Sequence, residues 1–161
     1  MRIGVFSDSH GDTQALDELL DKMGYLDAIC FLGDIARDAF HLKDRADAMA
    51  NHPQFFAVRG NNDYASTLPW DLIIELGGAR IYMTHGHRIV SPLSLAYRAR
   101  ENGAQIALFG HTDERMCERA LEVMLLNAGS AGIYCLGGRA CACVLEIKGG
   151  RYLVKQVEVD D

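Results

Sequence analysis

Proline is scarce in this 161-residue sequence: Pro53, Pro69 and Pro92 are too few and too widely spaced to mark a hinge or linker, and no repeat or low-complexity stretch divides the chain. A single domain over residues 1–161 is therefore expected, since that length can bury one sizeable core. Excess positive charge is missing too. Lys plus Arg number 16 against 22 Asp plus Glu, a formal net charge of −6, so tight sequence-independent binding to nucleic acid is not expected. No apolar run approaches the roughly 20 residues of a membrane span. The N-terminus turns polar at Ser7-Asp8, too early for a signal peptide. The expectation is a cytoplasmic protein with no membrane partner. The five cysteines are an odd number, and only Cys141 and Cys143 lie close together. A structural zinc site needs about four ligands at regular spacing, so the cysteines are expected to be buried reduced thiols rather than metal ligands or a disulfide framework.

Hydrophobic periodicity organises what is present. Ile3 to Phe6, Ala28 to Leu32 and Phe55 to Val58 are short apolar runs that predict buried strands. Between the first two, Asp12 is placed to cap a helix whose apolar stripe is Leu16, Leu19, Leu20 and Met23, ending at Gly24. A second helix is expected from about Asp38 to Asn51. This β-α-β-α-β order favours a parallel sheet with right-handed crossovers. Leu72 to Leu76 and Arg80 to Thr84 flank Gly77-Gly78 as a hairpin. A helix at Leu93 to Asn102 and strands at Ile106 to Phe109, Val123 to Leu126, Ala140 to Ile147 and Arg151 to Val159 complete the pattern. The expected fold is α/β, a four-layer α-β-β-α sandwich of two mixed β-sheets flanked by helices.

Polar, ligand-type residues gather at the carboxyl ends of these predicted strands. They are Asp8-Ser9-His10, Gly33-Asp34, Gly60-Asn61-Asn62-Asp63, Thr84-His85-Gly86-His87 and Gly110-His111-Thr112-Asp113. Strand carboxyl ends are where open α/β sheets bind ligands, and the neighbouring glycines allow sharp backbone turns. Asp, His and Asn without a thiolate suit Mn²⁺, Fe, Co²⁺, Ni²⁺ or Zn²⁺ better than a structural zinc or a calcium cage. About seven candidate ligands suffice for two ions sharing a bridging carboxylate, the arrangement that clamps attacking and leaving oxygens of a phosphate ester.

Five ordered motifs of this kind resemble those of the calcineurin-like metallophosphoesterases, in particular the small, cap-less bacterial and archaeal phosphodiesterase branch. Asn127-Ala128-Gly129-Ser130 is similar to that branch's Asn-Pro-Gly-Ser. The resemblance implies that Asp8 and His10 hold a first metal, that Asp34 bridges, and that Asn61, His85 and His111 complete the second site. The family's last motif ends in a metal-binding His, and here that position is Asp113. The implied cofactors are two divalent ions, foremost Mn²⁺, with Ni²⁺, Co²⁺, Zn²⁺ or Fe as alternatives. The implied reaction is in-line attack of activated hydroxide on a small phosphate ester, and relatives suggest a homo-oligomer.

Many phosphatases of the superfamily carry an acidic His after the metal-binding Asn, where this chain has Asn62. Asn62 cannot supply a proton, which favours substrates with good leaving groups. His85 is expected to stabilise charge on the reacting phosphate, and Asp63 to orient a metal-bound His. Asn62 and His87 are expected to contact substrate. The altered Asp113 and the missing acid also admit an alternative: a scaffold or binding protein that keeps the fold with weak or no catalysis. His41 and His52 are expected to be bystanders, Arg59 and Arg88 solvated, and Trp70 packed in the core or against the hairpin.

Overall fold

The computed structural model describes residues 1–132 and 138–160. Cys135 and Asp161 fall outside them. Ten strands and three helices are present among the described residues. Five strands form one sheet in the spatial order β10-β9-β1-β2-β3: β1 (Arg2–Phe6), β2 (Ala28–Phe31), β3 (Gln54–Ala57), β9 (Cys141–Lys148) and β10 (Arg151–Glu158). Strands β1, β2 and β3 run parallel, and β9 pairs antiparallel with both β1 and β10. The other sheet has the order β4-β5-β6-β8-β7, from β4 (Asp71–Leu76), β5 (Ala79–Thr84), β6 (Ile106–Phe109), β7 (Arg115–Ala120) and β8 (Val123–Ala128). In it β5, β6 and β8 are parallel, with an antiparallel strand on each edge.

Period-two alternation sorts side chains into layers. Ile3 and Val5 of β1 point into a cluster with Ile81, Met83, Ile106, Leu108 and Leu126 of the second sheet, and this is the core between the sheets. Phe6 faces the other way, where Ile29 and Phe31 join Leu16, Leu19 and Leu20 of α1 (Thr13–Met23) and Leu42 of α2 (Ala36–Ala48). On the outside of the second sheet, Tyr82, Ala107 and Phe109 pack on Leu95, Ala96 and Ala99 of α3 (Pro92–Glu101). Helix-sheet-sheet-helix is the four-layer sandwich expected. No helix among the described residues is long and apolar enough to cross a membrane.

Local signals were obeyed where their chemistry is strong. Asp12 caps α1 by accepting from Ala15 N at 3.0 Å, and Gly24 closes it with φ 65°. Helix α2 begins two residues before the expected start, because Asp63 from a distant loop supplies its cap, accepting from Ala36 N at 2.6 Å. Strand β7 had no apolar signature, since none of its six residues is buried. It is an edge strand that exists by backbone pairing to β8. One expectation is corrected. Cys30 and Cys143 are buried free thiols as expected, but Cys117 is a free thiol that is exposed, and Cys141 is disulfide-bonded. Sequence spacing could not show which sulfur atoms the fold brings together. Replacing Asp12 with Ala should cost about 1 kcal/mol in urea denaturation with an unchanged m-value, because only one capping bond is lost.

Candidate metal centre

The parallel strands of both sheets end at one edge of the sandwich, and the polar loops lie there. Asp8 and His10 follow β1, Asp34 follows β2, Asn61 to Asp63 follow β3, His85 and His87 follow β5, and His111 and Asp113 follow β6. Asp8, His10, Asp34, His111 and Asp113 all have left-handed φ angles, of 53°, 50°, 42°, 71° and 58°. For a side-chain-bearing residue that conformation costs of order 1 kcal/mol, so local preference alone would not select it. The turns are held by tertiary contacts, and they bring five polar side chains to this edge, of which Asp8 and Asp34 are buried.

Asp8 and Asp34 are each 2% exposed, and His85 is fully buried. His85 Nδ1 lies 2.8 Å from the Leu32 carbonyl, which can only accept, so Nδ1 carries the proton and the Nε2 lone pair faces the site. That lone pair points at oxygen: Asn61 Oδ1 at 3.0 Å, Asp34 Oδ1 at 3.6 Å and Asp8 Oδ1 at 3.8 Å. The other oxygen of Asp8 is committed, taking hydrogen bonds from the Ser7 hydroxyl and, at 2.8 Å, from the His111 amide. Burial pushes the Asp8 carboxyl above its ordinary value, against the pull of His85 and these hydrogen bonds. An Nε2 lone pair gathered with two buried carboxylates and an amide oxygen repels them. A cation among these atoms turns the repulsion into coordination.

Asp8, Asp34 and His85 offer ligand atoms within 4.8 Å of one another, and so do Asp8, His10 and Asp113. Asp8 is thus common to both groups, where the resemblance implied Asp34 as the bridge. Asp34 is held in place by Asn62, whose amide N–H donates to Oδ1 at 3.1 Å and whose side chain donates to Oδ2. Asp113 Oδ1 is 3.3 Å from His10 Nε2. The His111 imidazole belongs to neither group. Its ring centroid stands 5.2 Å from that of His85 and 6.2 Å from that of His87. Zinc, manganese and their neighbours accept such N/O donors, so the residues fit a pair of divalent ions.

Asp63 departs from expectation. Rather than orienting a histidine, its two oxygens accept from Ala36 N at 2.6 Å and Gly60 N at 2.7 Å. It braces the start of α2 against the loop that presents Asn61. Asp38 escaped sequence reasoning because it reads as an ordinary polar position in a helix. Fully buried in the first turn of α2, it accepts from Ser9 Oγ at 2.6 Å and Gly11 N at 2.8 Å and so fixes the loop of His10. Asn127 Nδ2 donates to Gly110 O at 3.1 Å and Thr112 Oγ1 at 3.0 Å, and Ser130 Oγ donates to Asp8 O at 2.7 Å. Their sequence signal is the Asn127-Ala128-Gly129-Ser130 motif, which names no hydrogen-bond partner.

Trp70 is not core. It is 38% exposed, with the Arg59 guanidinium 4.0 Å and that of Arg88 5.1 Å from its ring centroid. Its ring lies 5.2 Å from that of His87, so it backs that histidine. Arg59 is not simply solvated either, since it donates to the carbonyls of Asp63 and Ser66 at 2.9 and 3.0 Å. Burial, with the charges of His85, Arg88 and His111, lowers the His87 pKa, and its Nδ1 has no hydrogen-bond partner among the described residues.

This arrangement can be set beside known proteins. The calcineurin-like phosphoesterase superfamily domain matches residues 1–150. The chain belongs to that superfamily. It is a metal-dependent phosphoesterase by family, a phosphoric ester hydrolase. It is 31% identical over 137 residues to a probable metallophosphoesterase of Methanocaldococcus jannaschii, covering 81% of this chain and 68% of that one. A phosphodiesterase of the same archaeon is 26% identical over 153 residues, covering 85% and 88%. The crystal structure of a conserved uncharacterised protein of Streptococcus pneumoniae superposes with a TM-score of 0.77 at 28% identity, over 98% of this chain and 88% of that one.

Gly110 and Gly60 are where the superfamily site leaves no room for a side chain. A Cβ on Gly110 would lie 1.8 Å from Ser7 Oγ and 2.6 Å from Asp8 Oδ2, and one on Gly60 would lie 1.9 Å from Asp34 Oδ1. Gly110→Ala should therefore lower bound metal at least about tenfold in affinity, a loss of the size seen when supporting contacts of a metal ligand are removed. Elemental analysis after dialysis against Mn²⁺ reads this directly. Metal content equal to wild type would mean that the Asp8 carboxylate can shift without cost.

Proposed function

We propose that the site holds two divalent ions, Mn²⁺ by preference, and hydrolyses small phosphodiesters. The observation that carries this reading is the convergence of the His85 Nε2 lone pair with oxygens of Asp8, Asp34 and Asn61 at 3.0–3.8 Å. Asp8, His10 and Asp113 would hold one ion, and Asp34, Asn61, His85 and His111 the other, with Asp8 at the junction. When bound, the two ions supply hydroxide near neutral pH and Lewis-acid stabilisation of an in-line displacement at phosphorus.

The chain's own residues then divide the remaining work. Asp8 and Asp34 supply the negative charge that retains the cations, and the Leu32 carbonyl keeps His85 in the tautomer whose Nε2 can coordinate. Asn62 is committed to Asp34 and exposed, so it stands at the substrate side as an amide that donates hydrogen bonds but moves no proton. His87, kept neutral by burial and its cationic neighbours, is a hydrogen-bond donor to a phosphate oxygen rather than an acid. Without a strong acid in the protein, esters with good leaving groups react fastest.

The test compares wild type with Asp34→Ala and Asp113→Ala. Wild type should carry about two ions per chain and hydrolyse bis(p-nitrophenyl) phosphate with Mn²⁺, while Asp34→Ala should lose at least about a hundredfold in kcat/KM. Asp113→Ala should retain about one ion per chain. Hydrolysis at the enzyme-free rate across Mn²⁺, Ni²⁺, Co²⁺ and Zn²⁺ would sink the phosphodiesterase reading. Mn²⁺ at a hundred times its Kd should also stabilise the fold by about 2.7 kcal/mol, read as a raised urea midpoint.

A further inference from the structure

A cleft of about 180 Å³ opens beside the metal centre, between the loop that runs from β5 into α3 and the loop that follows β6. Ile89, Pro92, Leu95, Phe109 and Met116 make it apolar, and His111 forms the wall it shares with the candidate metal centre. Val90, at its edge, is 94% exposed and Leu93 on the next helix is 50% exposed, so apolar surface continues from the cleft into solvent. The other polar side chains on its wall are Ser91 and Thr112, both exposed. Ser91 Oγ accepts from Ser94 N at 3.2 Å as the cap of α3, and Thr112 Oγ1 accepts from Asn127 Nδ2 at 3.0 Å. Over the rest of the wall a sugar hydroxyl would exchange water for carbon, and water itself is poorly held there. A cavity of similar size, about 150 Å³ and lined by apolar side chains, takes up benzene.

We propose that this cleft is the subsite for the organic group of the ester, and that the preferred group is a small apolar or aromatic one of about a single ring, not a sugar. The inference rests on the phosphoesterase reading of the site next to it. A phosphoryl group held at the metal centre leaves its ester substituent facing either the cleft or open solvent. Only the cleft removes apolar surface from water. Gly86 and Gly110, which belong to the histidine loops, also border the cleft, so the two sites are continuous.

Binding of non-hydrolysable phosphonates tests this, with the Mn²⁺-loaded protein titrated calorimetrically against phenylphosphonate, benzylphosphonate and methylphosphonate. The three carry the same anion, so their ratio reports the organic group. At least one aromatic ligand should bind about tenfold or more tightly than methylphosphonate, the discrimination expected when an apolar group fills a pocket. Ile89→Asn and Met116→Gln keep the charge and nearly the volume of the cleft wall, and both should reduce that ratio to near one. A ratio near one in wild type, with aryl phosphodiester hydrolysis intact, overturns the subsite and leaves the phosphoesterase reading standing. A wild-type ratio that persists in both variants places the ring elsewhere and also overturns it. Failure of all three ligands to bind, together with no hydrolysis, overturns both readings.

Discussion

Electron pairs meet where the fold could have kept them apart. His85 presents a lone pair to two buried carboxylates and an amide oxygen, and nearly every unusual feature around it serves to hold that contact. The Leu32 carbonyl fixes the tautomer. Left-handed backbone at Asp8 and Asp34 turns both carboxylates inward, and the bare backbone of Gly60 and Gly110 lets the neighbouring loops close over them. The burial of Asp8 and Asp34 is costly unless a cation compensates it, so the protein is built at a local loss that ligation recovers. The energy for this comes from the core, where three apolar clusters pin the strands whose ends carry the ligands.

Most of that core was legible from periodicity. Short apolar runs marked β1, β2 and β6, and the Asp12 and Gly24 caps bounded α1, because burial on both faces and helix capping each leave a local mark. Strand β3, expected to be buried, is an edge strand in which Phe55 and Phe56 are only half-buried. The clustering of the candidate residues was legible for a related reason: each group follows a strand, and strand ends of a parallel sheet share one edge. What stayed hidden depended on partners remote in sequence. Strand β7 has no fully buried residue and is specified by pairing to β8. Asp63 lies beside Asn61, which suggested work on a metal-bound histidine. Its actual partners, the amides of Gly60 and Ala36, became visible only once α2 was placed against the loop. Trp70 carried no local sign of being stacked by two arginines, since these come from positions 59 and 88.

Two layers of acidic residues surround the centre, and they differ by what accepts into them. Asp63 and Asp38 are braces, each accepting from a backbone amide near the site, and they lock loop conformations. Asp8 and Asp34 keep an oxygen directed at His85, and Asp113 pairs with His10. Asp8 and Asp34 also accept backbone amides, from His111 and Asn62, so what sets them apart is the oxygen each still turns toward His85. The amide hydrogen bonds lower the cost of burying these carboxylates without removing it.

The position of Asp113 matters in this light. A carboxylate, where the resemblance implies an imidazole, adds negative charge on the side of His10, 3.3 Å from its Nε2. Each of the two ligand groups therefore contains two carboxylates and one imidazole, Asp8, Asp34 and His85 in one and Asp8, His10 and Asp113 in the other. More negative charge holds a divalent cation more strongly, so neither group is left short of charge to retain one. What separates the flanks is the surface beside them: His111 borders the apolar cleft, and it is on that flank that an organic group would be selected.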